Sequence, residues 1–327
     1  MPGSIVFWII PGDRFPLNQM TLSPKFDQNT LAGFAAILLW STTIAVVRSL
    51  SEQVGGLTSA ASVYLIGGLL CLLHLGWRGE VTKTLRKLPL RYLFGCGALF
   101  VFYMLVLYLA IGLAKSRQQV LEVGLLNYLW PALTIVFSLF LLSKKAGPLL
   151  FPGALLAVAG IVFVIGQEVS ISWISITENF AGNPVAYSFG ILAAIFWALY
   201  SNLTRRWAEG SGGAVEIFIP AAGVILLTLR VFSPEASFWT IRAGLEAIFL
   251  GIVTVVAYIL WDRAMRKGDV VLVAAFSYLT PLFSTIVSCL YLGIIPGVSL
   301  WIGCAMIMAG SILSWLSISD KEPSRKI

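Results

Sequence analysis

Charge is what this chain has least of. Its 22 Lys and Arg and 15 Asp and Glu make up only 11% of 327 residues, where an ordinary soluble domain carries about one quarter. With 58% hydrophobic side chains and a mean hydropathy of +0.91, too little polar surface remains to clothe a water-soluble globule, which excludes the soluble enzyme classes. Histidine occurs once, at His74, so mechanisms that need two imidazoles are excluded as well. Cysteine is sparse: Cys71, Cys96, Cys289 and Cys304 each lie in an apolar run, with no Cys-x-x-Cys pair. Neither a zinc site nor a disulfide framework follows from that spacing; small apolar packing does, and no metal or cofactor is expected. Glycine and proline are scattered singly and aromatic residues reach 13%, which excludes collagen-like and disordered chains.

What is there is a recurrence of apolar segments. A bilayer core of about 30 Å calls for about 20 apolar residues in a helix, and ten segments meet that test: 31–50, 59–77, 92–113, 119–142, 148–166, 185–204, 214–232, 241–261, 271–292 and 297–318. The fold class expected is therefore an all-α polytopic membrane protein with ten transmembrane helices, its partner being the lipid bilayer. The longest break, 167–184, is too short to fold as a domain. Residues 1–19 carry one short apolar stretch, Ile5 to Ile10, without the basic lead-in or the length of a secretory signal, and Met20 is an alternative start.

The net charge of +7 belongs to topology and not to nucleic acid, because the basic residues sit between apolar runs instead of forming a stripe. Seventeen of the 22 fall on the side shared by the two termini, and five (Arg48, Lys115, Arg117, Arg230 and Arg242) on the other. Cytoplasmic loops are enriched in Lys and Arg, so both termini are expected in the cytoplasm.

The second half repeats the first. At an offset of 150 residues, Asn127-Tyr-Leu-Trp-Pro131 aligns with Ser277-Tyr-Leu-Thr-Pro281, Gly153 with Gly303, Ala159-Gly160 with Ala309-Gly310, and Tyr108 with Tyr258. An offset of 157 places Trp40 on Trp197 and Arg48 on Arg205. Each unit holds five spans, an odd number, so the copies lie in opposite orientations, the arrangement that places a substrate site near the midplane of many secondary transporters. The units expected are 30–166 and 185–318, flanked by a cytoplasmic segment 1–29, an external loop 167–184 and a tail 319–327.

Polar side chains facing lipid are costly. Asn127, Trp130, Thr134 and Ser138 form one helical stripe, matched by Ser277, Thr280, Ser284 and Ser288 in the repeat. Such stripes suit the lining of a pathway, and also suit hydrogen bonding between helices. Pro131 and Pro281 sit within their spans, where each removes a backbone hydrogen bond and makes a hinge or a static kink. Trp40, Tyr103, Tyr128, Trp130 and Trp197 lie near mid-span instead of in the interfacial belts, which points to an aromatic-walled cavity. Glu122 and His74 are the ionisable groups most clearly inside spans, as a gate, a charge partner or an internally paired anchor. Gly153, Ala157 and Gly160, with Gly303 and Gly310, read as a packing seam.

These features, with the runs Ala35-Ala-Ile-Leu-Leu-Trp40-Ser-Thr and Glu122-Val-Gly-Leu-Leu-Asn-Tyr-Leu-Trp-Pro131, resemble the drug/metabolite transporter superfamily and its EamA-type repeats over residues 30–318. Within that superfamily they look like the bacterial exporters of aromatic amino acids. The resemblance implies export of phenylalanine, tyrosine and tryptophan, with other neutral amino acids, across the bacterial inner membrane through a central cavity. Trp40, Tyr128 and Trp130 match its motif positions, Trp197 follows through the second repeat and Tyr103 more loosely; Asn127 and Tyr278 complete the candidate substrate-binding set. Thr280 stands where the first repeat has Trp130, so the cavity is expected to be asymmetric. Carriage of other metabolites or amphipathic drugs is the alternative. An intramembrane protease is disfavoured, since His74 lacks a serine nucleophile turn and Asp262 and Asp269 only bracket a basic loop; a channel is disfavoured by the lack of an acidic ring or filter segment. Composition assigns no oligomeric state.

Overall fold

The computed structural model describes residues 27–77, 79, 88–166, 173–208, 211–292 and 298–320. Met20, most of the 1–29 segment, the start of the 167–184 connection, most of the tail and the side chains of Ser288 and Cys289 lie outside the described residues.

Every one of the ten apolar segments is helical. The helices are α1 (Gln28–Val54), α2 (Gly56–Trp77), α3 (Arg91–Leu113, opening with a π-helical turn over Arg91–Cys96), α4 (Arg117–Asn127), α5 (Trp130–Leu141), α6 (Leu150–Gly166), α7 (Trp173–Gly182), α8 (Pro184–Trp207), α9 (Val215–Val231), α10 (Ile241–Lys267), α11 (Val270–Phe276), α12 (Thr280–Leu292) and α13 (Val298–Leu316). Among the described residues, α2, α3, α8 and α10 are each long and apolar enough to cross a membrane, and α1 joins them if its two bent segments form one span. Short polar residues start several helices: Asp27, Ser116 and Thr240 each accept a hydrogen bond from the amide three residues on, at 2.8, 3.2 and 3.0 Å.

The segments expected over 119–142 and 271–292 are each broken. Tyr128 and Leu129 separate α4 from α5, and a 3-10 turn, Ser277–Leu279, separates α11 from α12. Both breaks lie just before the proline. Pro131 and Pro281 thus fall in the first turn of a new helix, where the missing amide costs no hydrogen bond. The 167–184 connection, expected as a loop, contains α7. The segment expected over 241–261 is longer: α10 runs on to Lys267, so the basic loop expected between Asp262 and Asp269 is helix up to Lys267. Asp262 and Arg266 pair one turn apart, which lets the helix continue through polar residues that hydropathy treats as its end. Asp269 caps α11, accepting from the amides of Val271 and Leu272 at 3.0 Å.

Packing follows pairs of helices. α2 packs on α9, α6 on α13, α1 on α10 and α3 on α8; α8 also meets α4 and α5, as α1 meets α11 and α12. The α6–α13 seam is made by the small residues expected there. A Cβ on Gly310 would stand 2.5 Å from the Gly153 carbonyl, and one on Gly160 would stand 2.9 Å from the Gly303 carbonyl. On the α2–α9 seam, a Cβ on Gly68 would stand 2.8 Å from Cα of Pro220. A short antiparallel ladder, Lys144–Ala146 against Ile318–Asp320, ties the exit of α5 to the exit of α13.

Candidate functional site

Four tryptophans from four helices meet in the core. Trp40 (α1), Trp130 (first residue of α5), Trp197 (α8) and Trp261 (α10) bring ring centres to 5.2 Å (Trp40–Trp261), 5.4 Å (Trp130–Trp261), 5.7 Å (Trp40–Trp197 and Trp197–Trp261) and 6.2 Å (Trp130–Trp197). Most of these pairs meet edge-on or tilted, the geometries that the ring quadrupole favours, each worth about 0.5–1.5 kcal/mol beyond area burial. Tyr103 joins at 4.8 Å from Trp197, and Tyr258 at 5.3 Å from Trp40. Trp130, Trp197 and Trp261 are 6%, 2% and 0% exposed, so in this state the rings fill the space between the helices.

Of the candidate residues, then, Trp40, Tyr103, Trp130 and Trp197 come together. Tyr128 and Tyr278 do not join them; both pack in a second cluster built around the α6–α13 seam with Ile135, Ala157 and Ile307. The reason is angular. Tyr128 precedes Trp130 by two residues, and Tyr278 precedes Thr280 by two, a spacing that turns side chains to opposite sides of a helical path. Asn127, one turn before Trp130, is half-buried with its carbonyl oxygen enclosed and unbonded. The hydroxyls of Thr134, Ser138, Ser277 and Thr280 bond back to carbonyls three or four residues earlier, at 2.6–2.7 Å, so these four hydroxyls are satisfied locally.

Trp261 is the residue that sequence reasoning missed. It is the last residue of the expected eighth segment, where a tryptophan reads as an interfacial anchor; with α10 extended to Lys267 it lies inside the bundle. Its indole N–H is buried without a partner, like the Asn127 side-chain oxygen and the hydroxyl of Tyr200, whose ring packs on Trp197. Buried polar atoms are nearly always bonded, so unmatched ones at a core cluster call for a ligand or water.

Accessibility differs across the cluster. Tyr103 and Tyr108 on α3, and Tyr128, are half-buried. Toward the other end of α3 and α10, Tyr92, Cys96, Tyr200 and Trp261 are sealed. There Tyr92 donates to Asp262 at 2.5 Å and Arg266 to the other carboxylate oxygen at 2.8 Å.

Glu122 and His74 are both paired. Glu122 accepts from the Tyr187 hydroxyl and from the Asn179 amide at 3.1 Å, which holds α4, α7 and α8 together. His74 Nδ1 lies 2.5 Å from the Glu216 carboxylate, joining α2 to α9. Neither residue reaches the aromatic cluster. Among the described residues no group of three His, Cys, Asp or Glu could hold a metal ion.

The EamA-like transporter family model matches this chain twice, over residues 29–166 and 184–316. The chain belongs to the EamA-like transporter family. It is thus a membrane transporter, a class that points away from catalysis. The EamA-family relatives include the aromatic amino acid exporter YddG of Salmonella typhimurium (strain 14028s / SGSC 2262), 34% identical over 88% of this chain and 97% of the relative. The exporter of the same name from Escherichia coli (strain K12) is 32% identical with the same coverage. A more distant relative is the uncharacterized inner membrane transporter YedA of Escherichia coli (strain K12), 25% identical over 77% of this chain and 79% of its own. A solved crystal structure superposes with a TM-score of 0.74 at 30% identity, covering 88% of this chain and 97% of the other.

Proposed function

We propose that this transporter exports aromatic and other neutral amino acids across the bacterial inner membrane, binding them at the cluster of Trp40, Trp130, Trp197 and Trp261 with Tyr103. The observation that carries the reading is the convergence of four tryptophans, from both halves of the chain, on one core position. Flat rings recognise an aromatic or apolar side chain by stacking, with modest energy and tolerant geometry, which suits a broad exporter of low affinity. The unmatched Trp261 N–H and Asn127 oxygen supply one donor and one acceptor, which the carboxylate and ammonium of an α-amino acid complement. The relatives named as aromatic amino acid exporters, matched over nearly their whole length, support the same substrate class.

The reading takes the ten helical segments as ten crossings in two inverted five-helix units, 30–166 and 185–318, with both termini cytoplasmic. Two matches to one family model support the units, and so does the pairing of helices: α1 on α10 mirrors α8 on α3, while α2–α9 and α6–α13 pair equivalent helices of the two halves. Transport then proceeds by alternating access, one unit rocking on the other, with the breaks before Pro131 and Pro281 as hinges. The rings that fill the core in this state must part to admit substrate.

The test is flux of labelled phenylalanine and tryptophan, with lysine and glutamate as controls, in proteoliposomes with and without a pH gradient. Saturable flux of the aromatic pair alone is expected, and its dependence on the gradient decides coupling. Absence of amino acid flux from folded protein overturns the substrate assignment in favour of other metabolites or amphipathic drugs.

A further inference from the structure

The sealed end of the aromatic cluster is closed by charged groups that the substrate site does not use. Asp262 is 2% exposed on α10, and its carboxylate is shared by Tyr92 from the first turn of α3, at 2.5 Å, and Arg266 from one turn on, at 2.8 Å. Arg266 also donates to the Ser211 carbonyl at 3.0 Å, and the Tyr92 oxygen accepts from the Ala214 amide at 3.1 Å, so the α8–α9 connection is drawn into the same knot. Arg205, near the end of α8, donates to the Arg266 carbonyl at 2.6 Å. Gly213 lies so close that a Cβ there would stand 2.5 Å from the Asp262 carboxylate.

We infer that Tyr92, Asp262 and Arg266 form a latch that holds one end of the transport path shut by tying α3, the α8–α9 connection and α10 together. Three features carry this. The knot joins elements of both halves, which alternating access requires to separate. It adjoins the substrate cluster, because Asp262 follows Trp261 directly and Trp261 touches three other tryptophans. It lies on the sealed side, while Tyr103 and Tyr108 on the opposite side keep accessible surface. A buried ion pair contributes little net stability against an apolar replacement, but leaves an uncompensated charge when broken, so it suits a two-state fastening better than a static brace. Ring movement at Trp261 on substrate binding turns the helix that bears Asp262, and so bears directly on the knot. The latch rests on the alternating-access part of the proposed function and not on the identity of the substrate.

Cys96 is a native reporter. It is fully buried one turn beyond Tyr92 on α3, on the same helical face. In full-length protein reconstituted in liposomes, with Cys71, Cys289 and Cys304 replaced by alanine, an impermeant maleimide is applied at the Arg266 end. The Asp262→Asn variant is expected to raise the rate of Cys96 labelling at least tenfold. A cysteine placed at Tyr103, probed from the other face in a Cys96→Ala background, is expected to label several-fold more slowly in the same variant. Tyr92→Phe, which removes one hydroxyl and keeps the ion pair, serves where Asp262→Asn fails to fold, with a smaller rise expected. Unchanged Cys96 labelling in a folded variant overturns the latch; so does faster labelling from both faces, the mark of a loosened fold. Reciprocal labelling without aromatic flux in wild type leaves the latch standing and removes the substrate assignment, whereas aromatic flux with unchanged labelling does the reverse.

Discussion

Trp130 and Trp261 meet edge to face, with ring centres 5.4 Å apart and planes at 82°. The first begins the helix after a break in the first half of the chain; the second lies on the longest helix of the second half, directly before the buried Asp262. Their contact joins the two halves of the chain at the position that the proposed function gives to the substrate.

Trp197 is the hub of the cluster, touching Trp40, Tyr103, Trp130, Tyr200 and Trp261 through their rings. Trp197→Ala is expected to destabilise the protein by about 3–5 kcal/mol, as large-to-small core changes do. Trp197→Phe keeps most of the ring area and should lose less than half as much. Thermal unfolding in detergent checks both.

The glycine seam gives a prediction with a built-in control. Gly310→Ala places a methyl group against the Gly153 carbonyl and the backbone of Ala157, which must move α13 off α6. The expected cost is about 1–3 kcal/mol, the range for overpacking. Gly124→Ala, whose Cβ would meet nothing within 4 Å, is expected to be neutral or stabilising by up to about 1 kcal/mol. Equal melting temperatures for the two variants would contradict the seam.

Glu122 separates an anchor from a gate. Glu122→Ala leaves the Tyr187 hydroxyl and the Asn179 amide without their acceptor, a loss of about 1–3 kcal/mol for buried donors. An anchor predicts a lower melting temperature with KM for phenylalanine unchanged. A change in KM at unchanged stability would instead return Glu122 to the transport path.

How much of this was legible in the sequence depended on whether a residue's surroundings came from its own helix. Trp40, Trp130 and Trp197 stood out because mid-span tryptophans at repeat-related positions are unusual on their own segments. The seam glycines were legible for the same reason. Trp261 was not, because Asp262, Arg263, Arg266 and Lys267 follow it and hydropathy closes the span there; only the packing of Tyr92 and the α8–α9 connection around Asp262 shows that α10 continues inside. Tyr128 and Tyr278 were grouped with the cluster by proximity in sequence, and the two-residue spacing carried them to the other side. The helix breaks were announced by Pro131 and Pro281, but as kinks at the prolines; the backbone opens before them, which puts each ring in a first turn.

The roles of the two clusters can be separated directly. The concentration dependence of labelled phenylalanine flux in proteoliposomes should be measured for wild type, Trp40→Ala, Trp130→Ala and Trp261→Phe, with Tyr278→Phe as the variant of the second cluster. The account predicts that the tryptophan variants raise KM or abolish flux at retained folding, while Tyr278→Phe transports like wild type. Unaltered KM in all three tryptophan variants, or a defect confined to Tyr278→Phe, would contradict it.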